Sequence, residues 1–126
     1  MRVLITRPKA QAATFADQLR QIGAEVVFFP TIEIKPVDDP TCLDRALSQL
    51  KSYDWLVLTS TNAAAVVIER MAELGINGLP TGLSVAAIGP ATAARLQENG
   101  ISADFVPEQH VAEAILPGLG DLHGRW

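Results

Sequence analysis

The sequence predicts an α/β fold, with a five-stranded parallel sheet and helices on both of its faces. Three observations predict it. Short apolar runs of about four or five residues open near Arg2, Glu25, Trp55, Ser84 and Ala103, and runs of that kind suit strands buried on both sides. Most of the intervening stretches carry apolar residues at helical spacing. Glycine stands where the helical patterns stop, at Gly23, Gly75 and Asn99-Gly100, as a helix C-terminus requires.

The elements follow in order. Arg2 to Thr6 forms the first strand, and Ala12, Phe15, Ala16, Leu19 and Ile22 trace the inner face of the first helix. Glu25 to Phe29 is the second strand, ended by Pro30. Thr31 to Ile34 is a further extended stretch, and Lys35 to Thr41, rich in proline and aspartate, is the linker. A short helix carries Leu43, Ala46, Leu47 and Leu50 on one side, and Trp55 to Thr59 is the third strand. Asn62 is placed to cap a helix with Ala64, Val67, Met71 and Leu74 inward. Ser84 to Ile88 is the fourth strand, and Pro90 suits the first turn of the helix after it. Ala103 to Val106 is the fifth strand, and a last helix covers Val111 to Leu116. Alternating strands and helices give a parallel sheet with right-handed crossovers. A flavodoxin-like strand order is the simplest five-strand solution.

Composition narrows the function. With 48% hydrophobic residues in 126, the chain suits one domain with a real core and not a disordered tail. The longest purely apolar run, Ala63 to Ile68, falls far short of the roughly 20 residues a membrane span needs. The start, Met1-Arg2-Val3-Leu4-Ile5-Thr6-Arg7-Pro8, lacks a signal peptide's pattern. A net charge of −4 argues against broad nucleic-acid binding, which needs a basic face. One cysteine, Cys42, and two distant histidines, His110 and His123, give neither an internal disulfide nor a zinc site. The expected setting is cytoplasmic, with no nucleic-acid or membrane partner, no metal and no cofactor.

In parallel α/β sheets, ligands sit beyond the carboxyl ends of the strands. Three turns therefore matter: Thr6-Arg7-Pro8-Lys9, Thr59-Ser60-Thr61-Asn62 and Gly89-Pro90-Ala91-Thr92. Each joins a strand to a helix start, where free backbone N–H groups and the helix dipole attract anions. Hydroxyls from Thr6, Thr59, Ser60, Thr61 and Thr92 add short donors, and Arg7 and Lys9 add positive charge. The same residues also serve plain structural ends. Serine, threonine and asparagine cap helices, Arg7 suits solvent, and Gly89 suits a special backbone angle. His110 fits a helix start or solvent, Asp38-Asp39 a solvated linker, and Cys42 a helix start. No G-x-G-x-x-G, P-loop or G-x-S-x-G motif is present, and the turns lack the acidic residues of a phosphoacceptor. On chemistry alone, the chain is an anion-binding α/β domain.

The same turns resemble the uroporphyrinogen-III synthase family. The resemblance rests on Val3-Leu4-Ile5-Thr6-Arg7-Pro8, Gly23-Ala24-Glu25-Val26-Val27 leading to Pro30, and Tyr53-Asp54-Trp55-Leu56-Val57-Leu58-Thr59-Ser60-Thr61-Asn62-Ala63. It continues through Ala87-Ile88-Gly89-Pro90-Ala91-Thr92-Ala93, Gly100 and Phe105-Val106-Pro107. It implies cofactor-free cyclisation of the linear tetrapyrrole hydroxymethylbilane, with inversion of the last ring. It also implies a catalytic role for Thr92 in departure of the leaving group. Arg7, Thr59, Ser60, Thr61, Asn62, Gly89 and Pro90 are the implied substrate contacts.

In that family two similar α/β domains are joined by a two-stranded linker. The resemblance then assigns residues 1–34 to the first domain, 35–41 to the linker and 42–126 to an incomplete second domain. The family's tyrosine in its second-half copy of strand two has no match, because Phe29-Pro30-Thr31 stands at the equivalent place. Two arrangements satisfy the sequence: one closed five-strand domain, or a segment-swapped homodimer across the proline-rich linker. Three functional readings stay open. They are the synthase or its N-terminal half, a non-catalytic tetrapyrrole or polycarboxylate binding module, and an inactive truncated fragment.

Overall fold

A computed structural model describes residues 1–109 and 111–120; the candidates His110 and His123 lie outside them. The chain divides into two compact units, Met1–Val37 and Asp38–Trp126, each taken by itself below.

The first unit holds β1 (Arg2–Ile5), α1 (Lys9–Gln21) and β2 (Glu25–Phe28). The strands pair in parallel, with Val3 opposite Val26 and Ile5 opposite Phe28. Alternate residues of a strand face opposite sides, so Val3, Ile5, Val26 and Phe28 meet α1 through Ala12, Ala16 and Leu19. The two alanines are buried and let the helix backbone lie close to the sheet. The Lys9 ammonium and the Arg20 guanidinium stand 5.8 and 5.9 Å from the Phe28 ring centre, within cation–π range. Leu4 and Val27, on the opposite side, remain exposed, as does Phe29 just beyond β2.

The second unit holds α2 (Thr41–Ser48), a single 3₁₀ turn (Leu50–Ser52), β3 (Trp55–Leu58), α3 (Thr61–Glu73), β4 (Ser84–Ala87), α4 (Pro90–Gln97) and a 3₁₀ stretch (Ala112–Leu119). β3 and β4 pair in parallel from Trp55 opposite Ser84 to Leu58 opposite Ala87. Their inward residues join Leu47, Leu50, Ala64, Val67, Met71 and Leu96 in the main core. Burying one such leucine contributes roughly 1.5–3 kcal/mol. A guanidinium clamp links two helices: Arg70 of α3 donates to both carboxylate oxygens of Asp44 in α2, the second contact at 2.7 Å, and also to Glu73.

One motif ends α1, α3 and α4 alike. The glycine N–H bonds three residues back (Gly23 to Arg20, Gly75 to Ala72, Gly100 to Gln97). The next residue bonds five back (Ala24 to Leu19, Ile76 to Met71, Ile101 to Leu96). This is the Schellman arrangement, and its left-handed position favours glycine.

Several expectations change. The described strands form two separate two-stranded parallel sheets, β1–β2 and β3–β4, and not one five-stranded flavodoxin-like sheet. Residues 30–40, with three prolines, contain no strand. The fifth strand shrinks to a single parallel bridge between Ala86 and Phe105. There the Asp104 carboxylate accepts the Val85 N–H at 2.7 Å, a place in the ladder that a backbone carbonyl would otherwise fill. Thr31 to Ile34 forms no strand. The last helix is 3₁₀ and not α, because Pro117 lies inside it and cannot donate a backbone N–H. Finally, Ser60 and not Asn62 caps α3: Ser60 is extended, and its hydroxyl accepts the Ala63 N–H at 3.1 Å.

Candidate functional site

Parallel pairing of β3 and β4 puts two of the three turns side by side. The ladder runs to the last strand residues, Leu58 opposite Ala87, and one residue further the Ile88 N–H donates to the Leu58 carbonyl at 2.9 Å. Thr59-Ser60-Thr61-Asn62 and Gly89-Pro90-Ala91-Thr92 therefore leave adjacent strand ends together. Each leads directly into a helix, α3 or α4, so two positive helix ends share this edge.

The second turn is fixed by its backbone. Gly89, which is buried, caps α4 with φ 85° and ψ 157°. Pro90 takes the first helical position, where a missing N–H costs nothing. That leaves the Ala91 and Thr92 N–H groups at the start of α4, since the Ala93 N–H already bonds the Gly89 carbonyl at 3.2 Å. Thr92 is only 3% exposed and is the one buried polar side chain among the described residues. In the first turn Thr59, Ser60 and Thr61 are exposed and Asn62 is half-buried. The Ser60 oxygen accepts the capping bond, so its own proton remains available to donate.

Arg7 belongs to the first unit, where it is exposed in the bend after β1. Thr6 beside it accepts the Thr31 N–H at 3.0 Å through its carbonyl. This bond ties the turn after β1 to the residues after β2, a link the sequence reading missed because Thr31 looked like part of an extended stretch. Thus Thr59, Ser60, Thr61, Asn62, Gly89, Pro90 and Thr92 gather on one sheet edge, and Arg7 occupies the corresponding edge of its own unit.

No ionisable side chain lies within residues 59–62 or 89–92. Such an edge can hold carboxylates with N–H and O–H donors and orient a flexible ligand; the two turns supply no acid–base pair of their own. Strong electrostatic pairing lies elsewhere. The Arg70 guanidinium holds the Asp44 carboxyl below its usual range, and the hydroxyl and N–H of Thr41 do the same for Asp39. The Asp44–Arg70 pair spans 26 residues and left no local sequence signal. Two open hollows lie beyond the end of α3: one of about 750 Å³ between Met71, Ile76 and Ile101, the other of about 530 Å³ between Leu47, Leu74 and Leu79. Among the described residues, no cluster of three metal-binding side chains exists. Among them, too, no helix is long and apolar enough to cross a membrane.

Fold and site together define an α/β protein with parallel strands, whose candidate site is built from strand-to-helix turns. Comparison with known proteins carries this further. The family described as "Uroporphyrinogen-III synthase HemD" matches residues 13–125, and the chain belongs to that family. It is 36% identical over 114 residues to the uroporphyrinogen-III synthase of Synechococcus elongatus, covering 90% of this chain and 43% of that protein. It is 34% identical over 117 residues to a putative uroporphyrinogen-III synthase of Methanocaldococcus jannaschii, covering 92% and 46%. Among solved structures, a mutant uroporphyrinogen III synthase of Thermus thermophilus superposes with a TM-score of 0.68 at 23% identity, covering 93% of this chain and 46% of that one. That likeness shows the fold. The chain spans less than half the length of each of these proteins.

Proposed function

We propose that this chain acts in tetrapyrrole biosynthesis, closing hydroxymethylbilane into uroporphyrinogen III with inversion of the last ring. The observation that carries the reading is the paired edge of Thr59–Asn62 and Gly89–Thr92, in a chain of this family. The substrate bears many carboxylates, and the edge offers N–H and O–H donors at two adjacent helix starts. Thr92 donates a hydrogen bond to the departing hydroxyl, which leaves as water. Arg7, Thr59, Ser60, Thr61, Asn62, Gly89 and Pro90 hold the substrate. The ring then closes at a substituted carbon of the last ring and rearranges, without a cofactor. Orientation of reacting ends supplies on the order of 7–11 kcal/mol in such closures, so an edge without an acid–base pair is suited to the task.

The same reading extends to organisation. Residues 1–34 belong to the first domain of the family layout, 35–41 to the linker and 42–126 to the second domain. Each domain is completed as a five-stranded flavodoxin-like sheet, here through a segment-swapped homodimer. The setting is the cytoplasm.

A second reading is a binding module that holds a tetrapyrrole or other polycarboxylate without turnover. It needs only the N–H and O–H donors that the two turns already provide. An inactive truncated fragment is the third reading, supported by the share of the relatives' length that the chain spans. Hydroxymethylbilane generated enzymatically separates them. Type III uroporphyrinogen is the expected product, and type I alone, the spontaneous product, sinks the enzyme reading. Retained binding of uroporphyrin would then favour the module over the fragment.

A further inference from the structure

β4 has a neighbour along each of its two edges. The Ser84 and Ile88 N–H groups donate to the Asp54 and Leu58 carbonyls, on the side of β3. Val85 and Ala87 bond the other way. The Phe105 N–H donates to the Val85 carbonyl at 3.2 Å, and the Ala87 N–H donates to the Phe105 carbonyl at 3.0 Å. This bridge is parallel, so the chain after Phe105 runs toward the same carboxyl edge as β3 and β4. With Phe105 opposite Ala86, residue 108 arrives level with Gly89, and the chain bends there, at Glu108 and Gln109.

A third turn, residues 106–109, therefore reaches the edge that carries Thr59–Asn62 and Gly89–Thr92, and Gly89–Thr92 lies between the other two. Packing holds the new turn in place. Pro107 is buried, and the Phe105 ring lies so close to Gly118 that a Cβ there would stand 2.3 Å from it. Glu108 is exposed and brings the one carboxylate found in residues 59–62, 89–92 and 106–109. Among the described residues its side chain has no ion-pair or hydrogen-bond partner. Other acidic groups of this sheet are placed differently. Asp104 accepts the Val85 N–H, and Asp54 precedes β3, at the opposite edge.

We propose that Glu108 is a substrate-binding residue that accepts hydrogen bonds from the pyrrole N–H groups of a tetrapyrrole; the class of ligand rests on the function proposed above. A tetrapyrrole with acidic side chains carries two kinds of polar group, carboxylates around its rings and one N–H on each pyrrole. The turns at 59–62 and 89–92 offer N–H and O–H donors, which match the carboxylates. An ionised carboxylate only accepts, and its hydrogen bonds are roughly twice as strong as those between neutral groups. Level with Gly89, Glu108 thus matches the ring N–H groups that the two other turns serve least well. Its charge also bars a substrate carboxylate from the same position. Glu108 therefore determines which part of a flexible polyanion faces Thr92, by attraction and repulsion together.

Calorimetric titration of the 126-residue chain with two ligands tests this. Uroporphyrinogen III, kept reduced, has carboxylates and pyrrole N–H groups, whereas benzenehexacarboxylate has carboxylates alone. Glu108→Gln keeps the side chain's size and removes its charge. It is expected to bind uroporphyrinogen about tenfold more weakly, the loss of a hydrogen bond to a charged group, and benzenehexacarboxylate at least as tightly as wild type. Uroporphyrinogen bound as well or better by the variant overturns the proposal, because Glu108 is then a bystander or a purely repulsive charge. Glu108→Lys checks the placement: it is expected to tighten benzenehexacarboxylate binding about tenfold at low salt, and an indifferent variant also overturns the proposal. The two readings fail separately. A wild-type chain that shows these binding results but forms only type I product keeps Glu108 in its role and removes the enzyme reading alone. One that forms type III product while Glu108→Gln binds unchanged removes Glu108 alone, and one that binds neither ligand removes both.

Discussion

Gly89 combines φ 85° with ψ 157°, a region of backbone space essentially confined to glycine. Gly89→Ala is expected to cost about 1–3 kcal/mol in urea denaturation and to displace the first turn of α4. Thr92 sits two residues after Pro90, and its hydroxyl can be removed at nearly constant volume. Thr92→Val is expected to keep the far-UV circular dichroism and to lower uroporphyrinogen III yield about 10- to 100-fold, the range for losing one hydrogen bond to a charged or developing group. Equal loss of stability and yield would mean a structural role only. A Cβ on Gly118 would stand 2.3 Å from the Phe105 ring, so Gly118→Ala is expected to destabilise by about 1–3 kcal/mol. At this scale the need for glycine before Pro90 was legible, since the turn had to join a strand to a helix. The choice of cap was not: Ser60, Thr61 and Asn62 can all cap, and only the extended backbone at Ser60 decides among them.

Helices α2 and α3 are joined by the Asp44–Arg70 pair, which gives acid stability a definite sign. Arg70 lowers the Asp44 pKa in the folded chain. Its contribution is therefore complete above the unfolded value of about 3.9 and disappears as pH falls through the lower folded value. Asp44→Asn is expected to lower the urea midpoint at pH 7, with the gap from wild type closing toward pH 2. A gap independent of pH would contradict this. The Asp104 side chain acts on β4 through one bond, to the buried Val85 N–H. Asp104→Ala is expected to cost about 1–3 kcal/mol, the penalty for an unsatisfied buried donor, while Asp104→Asn keeps an acceptor and costs less. Strand and helix positions in β1 to β4 were legible because apolar period and glycine stops are local properties. The fifth strand was not, because a side-chain carboxylate took a backbone position, which apolar periodicity does not encode.

The same limit governs the whole molecule. Sequence pattern located the strands, yet which strands share a sheet depends on pairing across residues 30–40, and nothing local specifies that pairing. The two units also differ in the core each can build. The first fully buries Ile5 and small alanines, with Val3, Leu19, Val26 and Phe28 only partly buried against them, and at 37 residues it lies below the roughly 40 at which a chain usually folds without help. The second encloses leucines, Met71 and valines on two sides of α3. Opening of the first unit should therefore cost less free energy than global unfolding. Native-state hydrogen exchange can read this at bonds of similar length, Glu25 and Phe29 N–H in the first unit against Ser84 and Ile88 N–H in the second. At low protein concentration the first pair is expected to exchange at least about tenfold faster, a difference of ~1.4 kcal/mol. Equal protection of both pairs would mean that the two units open together, and that the small core of the first is supported by the rest of its own chain.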